Sequence, residues 1–158
     1  GVKDCTVLSP LLDALEVDWV MLANSLTVFR HPSELLNLVE SLADRGVGVI
    51  NSAVFNAGFL VGGKYFDYRQ PVPSEPADQQ LFEWREAFLS LCERHGVSPA
   101  LACIQFALSP PGVAAVALNT SDPRRIGENV TMVETPVDPE FWRQAKQLGI
   151  IDAAYPHL

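Results

Sequence analysis

Short apolar runs alternate with longer stretches of helical spacing along this chain. Leu8, Leu11, Leu12 and Leu15 recur at helical intervals and predict a helix over 9–15, starting near Pro10 or as early as Asp4. Trp19-Val20-Met21-Leu22-Ala23 is an unbroken apolar run, the pattern of a buried strand, and Asn24, Ser25 and Thr27 close it. A helix over 34–45 follows from the stripe Leu35, Leu38, Val39 and Leu42, with Gly46 placed to end it. Residues 47–52 (VGVINS) form the next strand, after which Gly58, Gly62 and Gly63 punctuate a loop. Residues 64–77 carry Pro71, Pro73 and Pro76 without periodicity and predict a surface loop. An amphipathic helix over 78–95 ends at Gly96; Ser98 then caps a second, with Pro99 at its first position, running to Leu108. The run from Val113 to Leu118 predicts a strand buried on both faces. Asn119, Thr120 and Ser121 interrupt it, Asp122 and Pro123 start a helix to Met132, and Val137-Asp138-Pro139 starts a last helix through Leu148.

Strands that alternate with helices predict right-handed crossovers and a parallel α/β sheet. Polar residues gather just beyond the strands, at Asn24/Ser25, Ser52/Asn56 and Asn119/Ser121. In such folds ligands bind at the carboxyl ends of strands. Three strands, with a trace of a fourth at Gly1-Val2, are too few to close a barrel and leave open edges.

Composition narrows the picture. The chain has 158 residues, enough for one domain with a core. Its net charge of −8 excludes non-specific nucleic-acid binding, which needs a basic face. No apolar run is long enough to span a membrane, and no signal peptide is visible. Cys5, Cys92 and Cys103 are odd in number and lack metal or redox spacing; Cys92 and Cys103 read as small core residues, and a cytoplasmic setting is expected. Because it begins at Gly1, in the tail of a strand and without Met, the chain is expected to be the C-terminal part of a longer protein.

The candidate chemistry sits in the stretch from Gly112 to Asn129. Arg124 and Arg125 fall in the first helical turn, where the helix dipole is already positive. Either an anion offsets that cost, as in a phosphate-binding strand–helix turn, or the two arginines are solvated surface residues. The histidines are too scattered to suggest a metal site. His95 precedes Gly96 at a helix end, where a cation complements the dipole.

The segments VINSAVFNAGFLVGGKY and HGVSPALACIQFALSPPGVAAVALNTSDPRRIGEN resemble the C-terminal half of the aldo-keto reductases. NSAVFNAGFL and PVDPEFWRQAKQLGII are similar to the branch holding L-fucose, L-galactose and D-threo-aldose dehydrogenases and pyridoxal 4-dehydrogenase. The resemblance implies the C-terminal part of a (β/α)8 TIM barrel, parallel strands six to eight with their helices, as a single partial domain over 1–158. It implies NADP or NAD as cofactor and hydride transfer to or from an aldose, aldehyde or alcohol. Asn119, Thr120 and Ser121 would approach the adenosine phosphates, Arg125 the 2′-phosphate or adenine, and Glu128 and Asn129 the adenine edge. Ser52, Val54 and Asn56 would line the pyrophosphate and nicotinamide side. Several positions depart from the family pattern: Ala23 stands where many members have Gln, Leu26 for a Tyr, Ala53 for a Pro and Asn119 for a Lys. The family's catalytic Asp, Tyr, Lys and His come from the first half of the barrel, so no catalytic residue is expected here and the chain alone should be inactive. An alternative is a non-catalytic half-barrel that binds a nucleotide or a protein partner, or pairs with a second copy.

Overall fold

The structure, a computed structural model, describes residues 1–2 and 4–158, the Ser9 side chain excepted. Three parallel strands, β1 (Trp19–Ala23), β2 (Gly48–Ser52) and β3 (Val113–Ala117), lie in the order β1-β2-β3. Trp19 pairs with Gly48 and Ala23 with Ser52. On the other side Val49 pairs with Val113 and Ser52 with Ala117, with one irregularity between Val49 and Ile50. Val2 adds a parallel bridge outside β1: its N–H donates to Met21 O at 2.8 Å, and Ala23 N donates to Val2 O at 3.0 Å. That bridge is the trace of a fourth strand expected at Gly1-Val2.

Six α-helices accompany the strands among the described residues: α1 (Leu8–Ala14), α2 (Ser33–Asp44), α3 (Pro76–His95), α4 (Pro99–Leu108), α5 (Arg125–Glu134) and α6 (Pro139–Gln147). A short 3-10 turn, Cys5–Val7, leads into α1 and is capped by Asp4, whose Oδ1 accepts from Thr6 N. The core is built from the inward stripes of these helices. Leu35, Val39 and Leu42 of α2 and Ala102, Cys103 and Phe106 of α4 are buried with Leu22 and Val49 of the sheet. Phe88 and Leu91 of α3 meet Phe141 and Trp142 of α6 in the same cluster. Burial pushes the Cys92 thiol up to about 12 and Cys103 well above its ordinary range, so both stay protonated and inert.

The structure departs from the sequence expectations at three places. The run 113–118 is not buried on both faces. β3 ends at Ala117, Ala114 and Ala115 are exposed, and the rest is half-buried, because β3 is an edge strand with β2 on one side only. Asp122 does not cap α5. It accepts from Arg124 N at 3.1 Å and closes a turn, with Arg125 N donating to Asp122 O, so the helix starts at Arg125. The C-terminal residues are no loose tail either: Tyr155 is buried, its hydroxyl lies 2.6 Å from Ser109 Oγ, and Lys146 Nζ donates to Tyr155 O and to Leu158 O.

The start of β3 depends on a close approach. Gly112 has φ of +96°, and a Cβ there would stand 2.8 Å from Ala43 Cβ and 3.1 Å from Val39 O. Only glycine fits both the backbone and the space.

Candidate functional site

A cleft of about 980 Å³ opens over the carboxyl ends of the strands. Its floor is formed by the ends of β1 (Ala23, Asn24), β2 (Ser52, Ala53) and β3 (Ala117, Leu118). One wall is α5. Arg125, Glu128, Asn129 and Met132 occur at i, i+3, i+4 and i+7, so helical spacing puts all four on the face that lines the cleft. The loop after β2 supplies a second wall through Phe55, Ala57, Gly58, Val61 and Tyr68. The N-terminus of α4 also reaches the cleft through Ser98, Pro99 and Ala100, with Ser98 Oγ accepting from Leu101 N at 3.1 Å.

Six of the residues singled out from the sequence line this one cleft: Ser52, Asn119, Thr120, Arg125, Glu128 and Asn129. Ser121 lines a smaller recess of about 410 Å³ with Asn119, Thr120 and Arg125. Val54 and Asn56 do not reach either wall. Both are fully buried, and Asn56 Nδ2 donates to Asp67 Oδ1 at 3.2 Å within the loop. The chain leaves β2 in a tight turn, with left-handed backbone at Ala53, Asn56 and Ala57, and that turn puts both side chains in the interior.

The local hydrogen bonds decide which groups are open to a ligand. Ser52 Oγ donates across the sheet to Leu22 O at 2.8 Å, which leaves its lone pairs as acceptors. Thr120 Oγ1 donates to Asp122 O and accepts from Asp122 N at 3.1 Å, so it stiffens the turn. Arg124 forks onto Asp122, Nε to Oδ1 at 2.9 Å and Nη2 to Oδ2 at 2.8 Å, and this holds the Asp122 carboxyl below its usual range. The pair of arginines weighed as a joint anion site is therefore divided. Arg124 is neutralised within its own turn, whereas Arg125 takes part in no ion pair found among the described residues. Asn24 has left-handed backbone, φ 56°, and its Oδ1 is buried without a hydrogen-bond partner among the described residues.

Sequence reasoning did not single out Tyr68, Met132 or the α4 N-terminus. The Ser98 cap was readable, but nothing in a cap states which way a helix points. Met132 was within reach, since it lies one helical turn beyond Glu128 and Asn129. The other titratable residues of note lie elsewhere. His31 and Tyr155 pack around Phe106, with ring centroids 5.0 and 4.7 Å from it, and burial pushes the Tyr155 phenol well above its ordinary range. His95 Nε2 lies 3.1 Å from Gln144 Oε1 at the end of α3. No group of three His, Cys, Asp or Glu side chains among the described residues is placed to hold a metal. No described helix is long and apolar enough to cross a membrane.

A parallel strand–helix arc with a cleft over its carboxyl ends is a segment of a (β/α) barrel. A profile of the Aldo/keto reductase family matches residues 3–150, and the chain belongs to that family. It is 26% identical over 157 residues to pyridoxal 4-dehydrogenase from Microbacterium luteolum, a match covering 96% of this chain and 43% of that protein. Among solved structures, the apo form of aldo-keto reductase AKR11C1 from Bacillus halodurans superposes with a TM-score of 0.60 at 24% identity, covering 94% of this chain and 48% of that one. Its holo form gives 0.56 at 24% identity over 94% and 47%. The chain spans less than half the length of these relatives, and its fold is the corresponding C-terminal part of the aldo-keto reductase barrel.

Proposed function

We propose that this chain is the cofactor-binding half of an NAD(P)-dependent oxidoreductase, a single partial domain over 1–158. The observation that carries the reading is the convergence of Ser52, Asn119, Thr120, Arg125, Glu128 and Asn129 on one cleft at the strand ends. These groups fit a dinucleotide: a guanidinium without an ion pair among the described residues and polar side chains for phosphate, and an accepting carboxylate and a carboxamide one helical turn on for an adenine edge. Arg125 would meet a phosphate or the adenine, Asn119, Thr120 and Ser121 the adenosine phosphates, and Ser52 the nicotinamide side. Val54 and Asn56 would support that wall from beneath. The dinucleotide, when bound, supplies or accepts a hydride at its nicotinamide ring.

The substrate class that goes with this reading is an aldose, aldehyde or alcohol, consistent with a relative named as a pyridoxal dehydrogenase. Asn119, in place of a basic residue, suits NAD as well as NADP, and Arg125 keeps NADP open. The three cysteines are free thiols, in keeping with a cytoplasmic setting. No residue of this chain is assigned to the chemical step. Reductase and dehydrogenase activity should therefore be absent from the chain alone and appear when a complementary N-terminal half-barrel from a family member is added; turnover by the 158 residues on their own overturns this assignment.

A second reading is favoured by the open side of β3 and by two exposed apolar stripes, Val7, Leu11 and Leu15 near α1 and Ile126, Val130 and Val133 on α5. In it the chain is a non-catalytic half-barrel that pairs with a protein partner or a second copy. A discrete dimer in sedimentation velocity supports it, and a monomer contradicts self-pairing.

A further inference from the structure

The loop between β2 and α3 carries an exposed tyrosine on a backbone turn that its neighbours hold. Phe66 and Arg69 exchange both backbone hydrogen bonds, Phe66 N to Arg69 O at 2.8 Å and Arg69 N to Phe66 O at 3.1 Å. Between them Asp67 and Tyr68 both have left-handed backbone, with φ of 47° and 70°. A two-residue reversal with both central residues at positive φ is the type I′ form, for which glycine and asparagine are the usual occupants. Aspartate also suits the first central position, but Tyr68 stands where glycine is usual, so the surroundings must hold its conformation. Asn56 Nδ2 donates to Asp67 Oδ1 at 3.2 Å on one side of the turn. On the other, Arg69 forks onto Asp78, with Nη1 to Oδ2 at 2.8 Å, and Val72 N donates to the same carboxylate at 2.8 Å. Phe66 is buried and meets Phe29 and Phe59 edge-on. Clamped in this way, the turn presents Tyr68, 85% exposed, on the wall of the cleft.

The rest of that wall, Ala53, Phe55, Ala57, Gly58 and Val61, bears no charge, whereas the cation of the cleft, Arg125, stands on the α5 wall. An uncharged wall that presents an exposed aromatic side chain suits the face of a ring better than a phosphate. We propose that Tyr68 is a specificity-determining contact that stacks on a planar heteroaromatic ring of the molecule bound in the cleft. The proposal rests on the dinucleotide reading of the cleft, and such a ligand offers two rings of this chemistry, nicotinamide and adenine.

At 17.3 kDa the chain suits solution NMR, which reads weak binding directly. Nicotinamide mononucleotide and ADP are titrated separately into the wild type, Tyr68→Phe, Tyr68→Ala and Arg125→Ala. With one of the two probes, the ligand ring protons should move upfield for the wild type and Tyr68→Phe. In Tyr68→Ala that movement should vanish and affinity fall on the order of tenfold. The probe that responds identifies the ring. If Tyr68→Ala leaves both probes unchanged while Arg125→Ala weakens ADP, the stacking contact is wrong and the dinucleotide site stands. If neither probe binds the wild type at millimolar concentration, the dinucleotide reading fails and takes this contact with it.

Discussion

Arg124 forks onto Asp122 within its own turn, while Arg125, one residue on, stands on the α5 face that lines the cleft. Both carry the same charge in the sequence, and only the turn geometry separates them. The turn, in turn, depends on Asp122 bonding to Arg124 N rather than capping the helix. His31 shows a comparable local selection. Its Nδ1 lies 3.2 Å from Thr27 O and its Nε2 accepts from Asp152 N at 3.0 Å, which fixes the neutral ring with the proton on Nδ1. Burial holds its pKa below the ordinary value. A histidine kept neutral in the folded state contributes its full stability above the unfolded pKa of about 6.5 and loses it as pH falls toward the lower folded value. Urea midpoints should therefore fall between pH 7.5 and pH 5, and His31→Gln should flatten part of that slope. A slope unchanged by the substitution would show that His31 does not titrate against folding. Asp78 acts in the same direction but at lower pH. Arg69 beside it lowers its pKa to about 2, so the clamp on the Tyr68 loop is complete above about pH 4 and loosens only toward pH 2.

The helices and two strands were legible as elements because apolar spacing and caps are local. Leu35, Val39 and Leu42 mark the buried face of α2 directly, and Ser98-Pro99 and Asp138-Pro139 fix the starts of α4 and α6. β3 was read as a strand correctly but given the wrong surroundings. An apolar run such as VAAVA records what a strand is suited to meet, not whether a neighbour is present in the chain. The site divided along the same line. Residues on α5 were readable from helical spacing, whereas Tyr68 depends on a turn stabilised by Asn56 and Asp78, from opposite sides of the loop. Gly112 is the element-level position with the sharpest test. Gly112→Ala must bear a left-handed φ and push against Ala43 and Val39 O, so α2 and β3 separate. A loss of about 1–3 kcal/mol in unfolding free energy is expected, read by chemical denaturation. An unchanged midpoint would mean that β3 does not seat against α2 as described.

At the scale of the whole molecule, helices pack against the sheet and the cleft opens at the carboxyl ends of its strands. The exposed stripes lie on α5, which follows the last strand in the chain, and near α1, which follows the Val2 bridge. The sheet itself is open at β3 and at the Val2 bridge, the two edges where an arc of parallel strands can continue into further strands. The dinucleotide reading depends on the strand ends, β3 loop and α5 acting as one surface, and two-dimensional amide spectra of the labelled chain titrated with NADP+ test it most directly. Shifts should concentrate on Ser52, Asn119–Ser121 and Arg125–Asn129, and Arg125→Ala should weaken binding about tenfold or more, the usual worth of a charge-assisted contact. Shifts absent at millimolar NADP+ and NAD+, or confined to the opposite side of the sheet, would contradict the account.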